Sequence, residues 1–226
     1  MLREFFSNHQ LFAGLLGLLQ VAVLPGWLLL RWTRGVTGLL VAPLLLALSL
    51  VVHFQCVLVA TALGVFSVET LAALLLAGCG LCWVAARSAQ SVPTPDSGAA
   101  TAGYASPLHR LALWLAAAAW LALTGLLLRH IPGVFDTWDA VVSWNRWAND
   151  WARGQFPTDT YGYPQLLPTA WATSYVWLGT PEIQFFAKGL MALFPLGIAA
   201  IFADMALRLR CTAAALALTL WCIALW

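Results

Sequence analysis

Acidic side chains are concentrated in one region of this 226-residue chain, residues 130–183. This region contains five of the nine acidic residues and six of the thirteen tryptophans. Carboxylates support general acid–base chemistry, and cations bind anionic groups such as phosphate. The side chains in and just after this region that suit such chemistry are Asp136, Asp139, Trp144, Arg146, Arg153, Tyr163, Glu182 and Lys188.

Residues 135–154 have the periodicity of an amphipathic helix. Apolar residues recur at helical spacing on one face, namely Val141, Trp144, Trp147, Ala148 and Trp151. Polar residues occupy the opposite face, namely Asp139, Ser143, Arg146, Asp150 and Arg153. The pattern predicts an interfacial helix in the membrane plane with tryptophans at headgroup depth. A purely structural account stays open, in which Asp136 caps the helix, Asp139 lies at N3, and Arg146 pairs with Asp150.

A second short helix is predicted over residues 169–178. Pro164 and Pro168 precede it. Proline lacks an N–H donor and clashes with the preceding turn, so these residues limit any helix before them. Gly179 follows as a C-cap, and Glu182 then stands at the start of the next apolar run. Lys188 lies inside that run, where a lysine either extends to the surface as an anchor or faces a cavity and holds a phosphate.

The composition identifies the elements that must position these groups. The chain is 62% hydrophobic and only 9% charged, whereas soluble domains carry roughly 25% charged residues. Soluble globular and disordered classes are therefore excluded. The net charge of +2 is spread along the chain and provides no basic face for nucleic acid. We expect an all-α, polytopic transmembrane helical protein, with membrane lipids as its surroundings.

About six membrane spans are predicted, since a span needs about 20 mostly apolar residues. They are residues 11–30, two spans within 36–86 broken near 67–69, then 111–128, about 184–207, and a run that begins after Arg210. If the spans alternate, one side of the membrane receives Arg31, Arg34, Arg87, Arg110, Arg208 and Arg210. The positive-inside rule makes that side cytoplasmic. Residues 130–183, here called the outward loop, then face outside and contain amphipathic juxtamembrane helices.

The chain divides into three predicted parts. Residues 1–87 form a three-span amino-terminal unit, and residues 88–108, rich in Ser, Ala, Thr, Pro and Gly, form a flexible cytoplasmic linker. Residues 109–226 form a second module that contains the outward loop. The last run, 211–226, has sixteen residues and is short of a crossing, so we expect the chain to be the first part of a longer protein.

Residues 111–226 resemble the start of the GT-C superfamily of integral-membrane glycosyltransferases, in the branch with lipid A aminoarabinose transferases and protein O-mannosyltransferases. The residues that carry the resemblance are Asp139 soon after the fourth span, then Ala148, Gly154 and Pro157, the element Tyr163-Pro164-Gln165-Leu166, and Gly179-Thr180-Pro181-Glu182. The chain departs from the family where Ala140 replaces the second acid of an Asp-Glu pair. Tyr163 replaces the family lysine, and Lys188 stands in a shifted position for an arginine.

The resemblance implies transfer of a sugar from a polyprenyl-phosphate donor to an acceptor on the outer face, with inversion at the anomeric carbon. Asp139, with Asp136 as the second candidate, is the implied catalytic carboxylate. The implied phosphate ligands are Arg146, Arg153 and Lys188. Tyr163 and Trp144 are implied to stack on the sugar or line the lipid groove, and Glu182 belongs to the implied substrate site. The implied location is a bacterial inner (plasma) membrane.

Two other interpretations stay open. A transporter would use Lys188 and Asp204 to mark a path, although Asp204 and Arg208 are spaced to pair with each other at i,i+4. A non-catalytic membrane scaffold would keep the glycosyltransferase start without turnover. No cofactor is expected beyond the lipid-linked donor, and no metal site is predicted, since Cys79 and Cys82 lie in an apolar run without a nearby His.

Overall fold

The computed structural model describes residues 7–30, 38–88 and 106–224. Every regular element within these ranges is helical, as the composition predicts. The central part of the predicted linker, residues 89–105, lies outside the described residues, as do Arg31 and Arg34.

The helices follow one another with short connections apart from the outward loop. They are α1 (Asn8–Ala22), α2 (Leu24–Leu30), a 3₁₀ turn (Gly38–Leu40), α3 (Val41–Ala62), α4 (Val68–Ser88), α5 (Pro107–His130), a π-helical segment (Ala140–Trp144), α6 (Asn145–Ala152), α7 (Leu166–Leu178), α8 (Phe185–Arg208) and α9 (Thr212–Ala224).

Four helical stretches are long and apolar enough to cross a membrane: Asn8–Leu30, Gly38–Ala62, Pro107–His130 and Phe185–Arg208. They coincide with the predicted first, second, fourth and fifth spans. The apolar stretches Val68–Leu81 and Thr212–Ala224 occupy the places of the other two and are shorter. Within the described residues, four of the six predicted spans therefore have full membrane length.

The first span is interrupted at Val23, between α1 and α2. Pro25 follows at once, and its missing N–H removes one helical hydrogen bond. Gly26 then allows α2 to approach α3 closely, and its N–H donates to Ser49 Oγ at 2.7 Å. A side chain at Gly26 would overlap the Leu45 carbonyl oxygen. This crossing ties the second half of the first span to the second span.

Helix α7 is an interior helix rather than an amphipathic one. Every residue from Pro168 to Tyr175 is buried, and the helix packs against α1, α3, α6 and α8. The prediction of amphipathic helices in the outward loop is therefore correct for α6 and wrong for α7. The reason is that apolar side chains cover most of the circumference of α7, so the sequence segment has no polar face to leave in water.

Two contacts bring the arginine-bearing ends of the helices together. Asp204 of α8 accepts a hydrogen bond from the N–H of Leu39 at 2.9 Å and forms the predicted ion pair with Arg208, also at 2.9 Å. His109 Nδ1 lies 3.2 Å from Thr212 Oγ1, which joins the starts of α5 and α9. We call this region, which carries Arg110, Arg208 and Arg210, the basic end.

Helices from both predicted modules share one core. Val21 and Leu46 from the amino-terminal unit lie in the same cluster as Ala170 and Leu190 from the later module. A second cluster joins α5, α8 and α9. The division at residues 88–108 stays a prediction, and the interface across it is apolar and buried.

Candidate functional site

The tryptophan face of the outward loop is buried in protein. Trp147 and Trp151 are each 2% exposed, and Ala148 is fully covered. The side chains of α7 cover this face, since α6 and α7 pack along each other. Trp147 and Trp151 therefore do not face lipid as the interfacial helix predicted, and their depth in the membrane stays a prediction. The amphipathic pattern was correct, but its apolar face meets α7 instead of lipid.

The π-helical segment lies between Asp139 and α6. In a π-helix the hydrogen bonds reach one residue further along the chain than in an α-helix, and such segments occur frequently at functional sites. The insertion shifts the helical register after Asp139. Asp139, Arg146 and Arg153 nevertheless all remain exposed, as the periodicity predicted.

Five rings form what we call the aromatic cluster. Its members are Phe135, Trp144, Trp147, Tyr163 and Trp171. Phe135 stacks on Trp171 with ring centroids 4.3 Å apart. Trp144 lies 6.4 Å from Trp147 and 6.5 Å from Trp171, and Tyr163 lies 5.9 Å from Trp147. The structure thus brings the two predicted stacking residues, Trp144 and Tyr163, to the same cluster.

Two indole nitrogens of the cluster have no hydrogen-bond partner. Nε1 of Trp147 and Nε1 of Trp171 are both buried without an acceptor among the described residues. A buried donor left unpaired costs about 1–3 kcal/mol, so it calls for an explanation. An oxygen of a bound ligand would satisfy such a donor. Sequence periodicity placed Trp147 on an apolar face and gave no signal for either unpaired nitrogen.

Two side-chain hydrogen bonds join the segments around the cluster. Tyr175 donates from its hydroxyl to Asn145 Oδ1 at 2.6 Å, and Trp151 donates from Nε1 to Gln165 Oε1 at 3.1 Å. Burial raises the pKa of the Tyr175 hydroxyl, so it stays protonated as a donor. These bonds fix α6 and α7 relative to each other, one at the start of α7 and one near its end.

The segment that precedes Asp136 is held by the start of α8. The N–H of Phe135 donates to Gln184 Oε1 at 2.6 Å, and Lys188 Nζ donates to the Val134 carbonyl at 3.1 Å. A cavity of about 190 Å³ beside them is lined in part by His130, Phe135 and Lys188. Lys188 therefore contacts the backbone of the loop and also lines a cavity, and its binding of a phosphate stays a prediction.

Asp136 and Asp139 are both exposed, and neither carboxylate has an ion pair or side-chain hydrogen bond within the described ranges. The helical turn that leads into the π-helical segment begins at Trp138. Asp136 therefore lies one residue too early to cap this turn, and the predicted N-cap is wrong. The predicted pair of Arg146 and Asp150 is also not formed. An exposed i,i+4 pair gains only a few tenths of a kcal/mol, which explains why the side chains stay apart.

Glu182 lies in the turn before α8. It is exposed, and its backbone N–H donates to Thr180 Oγ1 at 3.2 Å. No hydrogen bond or ion pair among the described residues joins Glu182, Arg146 or Arg153 to the aromatic cluster. The structure therefore brings Trp144 and Tyr163 into one cluster and places Lys188 beside the segment leading to Asp136. Glu182, Arg146 and Arg153 stay exposed on the protein surface.

Polar side chains inside the helical bundle hold α7 in place, and the sequence analysis missed them. His53 Nε2 lies 2.7 Å from Thr173 Oγ1, although His53 is in the middle of a membrane-length helix. Gln20 accepts from Trp177 Nε1 at 2.9 Å and donates to the Leu71 carbonyl at 3.0 Å. The available signal was the presence of His53 and Gln20 in otherwise apolar runs, because a polar group inside a membrane needs a partner.

In the parts of the chain that the structure describes, no three His, Cys, Asp or Glu side chains are grouped so that they could hold a metal ion. Over the described residues, fold and site define an all-helical protein with four membrane-length helices, in which the outward loop contributes a buried helix, α7, and the aromatic cluster. No family model, curated protein or solved structure matches the chain.

Proposed function

We propose that this protein transfers a sugar from a polyprenyl-phosphate donor to an acceptor at the outer face of a bacterial plasma membrane. The observation that carries the proposal is the position of Asp139. Its carboxylate is exposed and unpaired among the described residues, and it directly precedes the π-helical segment that contributes Trp144 to the aromatic cluster. A carboxylate without a structural partner can meet a substrate without first breaking a contact.

The proposed reaction is a single inverting displacement. A hydroxyl oxygen of the acceptor forms a bond to the anomeric carbon while the bond from that carbon to the phosphate oxygen breaks. The hydroxyl proton passes to the carboxylate of Asp139, and the polyprenyl phosphate leaves with the electron pair. A general base in this position contributes about 10²–10⁴ in rate.

The other residues have proposed roles that follow from their positions. Trp144 and Tyr163 offer ring faces to the sugar, and the unpaired indole nitrogens of Trp147 and Trp171 offer donors to sugar or phosphate oxygens. Arg146, Arg153 and Glu182 line the exposed side and would meet the headgroup only when the substrate is bound. Cations near the departing phosphate stabilise its growing charge.

Lys188 has a positioning role in this proposal. Together with Gln184 it binds the backbone at Val134 and Phe135, immediately before Asp136. This contact fixes where the loop leaves α5 and therefore where both carboxylates stand. Asp136 is the second candidate for the base.

The test is the substitution Asp139→Asn in proteoliposomes supplied with radiolabelled polyprenyl-phosphate hexoses and pentoses. Asn keeps the size of the side chain but cannot accept a proton, so transfer should fall at least about 100-fold. The matched control is Asp159→Asn, another exposed acid of the same loop. Asp159 has φ of 54°, a conformation that Asn tolerates well. Unchanged transfer in the Asp139 variant would remove this residue from the mechanism.

A transporter is the second candidate, because His53 and Thr173 form a polar contact inside the bundle. Transport would require this contact to open toward a path across the membrane. If the protein is a transporter, the native protein takes up solute into proteoliposomes and transfers no sugar. The variant His53→Leu should then abolish solute uptake. Under the glycosyltransferase proposal the same variant affects stability, and the native protein transfers sugar without taking up solute.

A further inference from the structure

A second cavity lies at the basic end, far along the helices from the aromatic cluster. Its volume is about 410 Å³, and it lies between α5, α8 and α9. The walls include Leu113, Trp120, Ala203 and Leu218, which are apolar. The volume falls in the range of small-molecule sites, and the lining is suited to a hydrocarbon chain. We call this cavity the basic-end groove.

The groove opens onto an apolar outer surface. Trp114 and Leu207 form part of its lining and are 76% and 55% exposed. Both belong to membrane-length helices, Pro107–His130 and Phe185–Arg208. A crevice in such an exposed apolar surface is open to the acyl chains of a surrounding membrane.

One wall residue of the groove is charged. Arg110 is exposed, lies in the first turn of α5, and its guanidinium has no hydrogen bond or ion pair among the described residues. Arg208, at the end of α8, is instead paired with Asp204 at 2.9 Å. The charge of Arg110 is thus available to an anion at the point where the apolar groove meets the membrane surface.

We propose that the basic-end groove binds an anionic phospholipid of the adjacent leaflet. One acyl chain occupies the cavity between α5, α8 and α9, and the lipid phosphate lies against the guanidinium of Arg110. Basic pockets between transmembrane helices are typical binding sites for anionic headgroups, and each arginine near the surface contributes about 1 kcal/mol. This energy corresponds to about a fivefold change in affinity.

The test is the binding of phosphatidylglycerol and of phosphatidylcholine with the same acyl chains to the purified full chain, measured by native mass spectrometry. Arg110→Gln removes the charge, and its control is Arg129→Gln, an exposed arginine at the other end of the same helix. Ala117→Trp fills the groove, and its control is Ala118→Trp. Both alanines are exposed, but only Ala117 lines the cavity.

We expect native protein to prefer phosphatidylglycerol and Arg110→Gln to weaken that lipid about fivefold without affecting phosphatidylcholine. Ala117→Trp should weaken both lipids, because it removes the space for the acyl chain. Both control variants should bind as the native protein does. The proposal is overturned if the native protein shows no preference, if Arg129→Gln has the same effect as Arg110→Gln, or if Ala117→Trp changes nothing.

Discussion

Tyr175 and Asn145 are joined by a hydrogen bond of 2.6 Å between the tyrosine hydroxyl and Oδ1 of the asparagine. Tyr175 belongs to the interior helix α7, and Asn145 is the first residue of α6. The bond therefore links the buried part of the outward loop to the segment that carries the candidate catalytic residues. Asn145 directly follows Trp144, a member of the aromatic cluster.

Substituting Tyr175→Phe removes this donor and leaves Asn145 Oδ1 without its partner. We expect the free energy of unfolding to fall by about 0.5–1.5 kcal/mol, the usual net contribution of a hydrogen bond, because Asn145 is only partly buried. Thermal unfolding in detergent measures the change. Tyr161→Phe is the control, since Tyr161 is 85% exposed, and it should unfold at the native temperature. Equal stability of the two variants would show that the bond does not hold α6 to α7.

The contact between Gln184 and Phe135 gives a second prediction, on local opening. Gln184→Ala removes the acceptor of the Phe135 N–H, so this amide should exchange with solvent about two to ten times faster. Hydrogen–deuterium exchange of a peptide covering residues 131–139 measures this rate. Gln155→Ala, an exposed position of the same loop, should leave the rate unchanged. If both variants exchange at the native rate, α8 does not hold the segment that leads to Asp136.

Replacing Gly26 or Gly80 by alanine should change the stability of the protein in opposite directions. At Gly26 the added methyl group would overlap the Leu45 carbonyl oxygen, so Gly26→Ala should destabilise the protein by about 1–3 kcal/mol. At Gly80 nothing lies within 4 Å of an added Cβ, so Gly80→Ala should stabilise α4 by up to about 1 kcal/mol. Equilibrium unfolding in mixed micelles compares the two, and a stable Gly26 variant would contradict the close crossing of α2 and α3.

The long helices were predictable from sequence because their signal is local. A run of about 20 apolar residues identifies a span regardless of its neighbours, and all four membrane-length helices fall where such runs occur. The interruption at Val23 was less visible, since Pro25 alone gives only a potential kink. The ion pair of Asp204 and Arg208 was also predictable, because both partners lie on one helix, four residues apart.

The candidate site was predictable only in part, because its contacts join distant segments. Periodicity found the face shared by Trp144, Trp147 and Trp151 but could not tell lipid from another helix as the surface that covers it. That surface is α7. The sequence predicted a short helix there, but its apolar residues on nearly all sides are typical of a buried helix. The unpaired nitrogen of Trp171 and the bond between His53 and Thr173 depend on tertiary packing alone.

The side of the membrane that the outward loop occupies decides whether the proposed transfer is possible. Gln155 lies in the loop and Leu209 at the basic end, and both are exposed. The variants Gln155→Cys and Leu209→Cys are treated with a membrane-impermeant maleimide on intact cells, with the native protein as the control for its own cysteines. We predict that the Gln155 variant is labelled on intact cells and the Leu209 variant only after permeabilisation. Labelling of Gln155→Cys only after permeabilisation would put the loop inside the cell and contradict sugar transfer at the outer face.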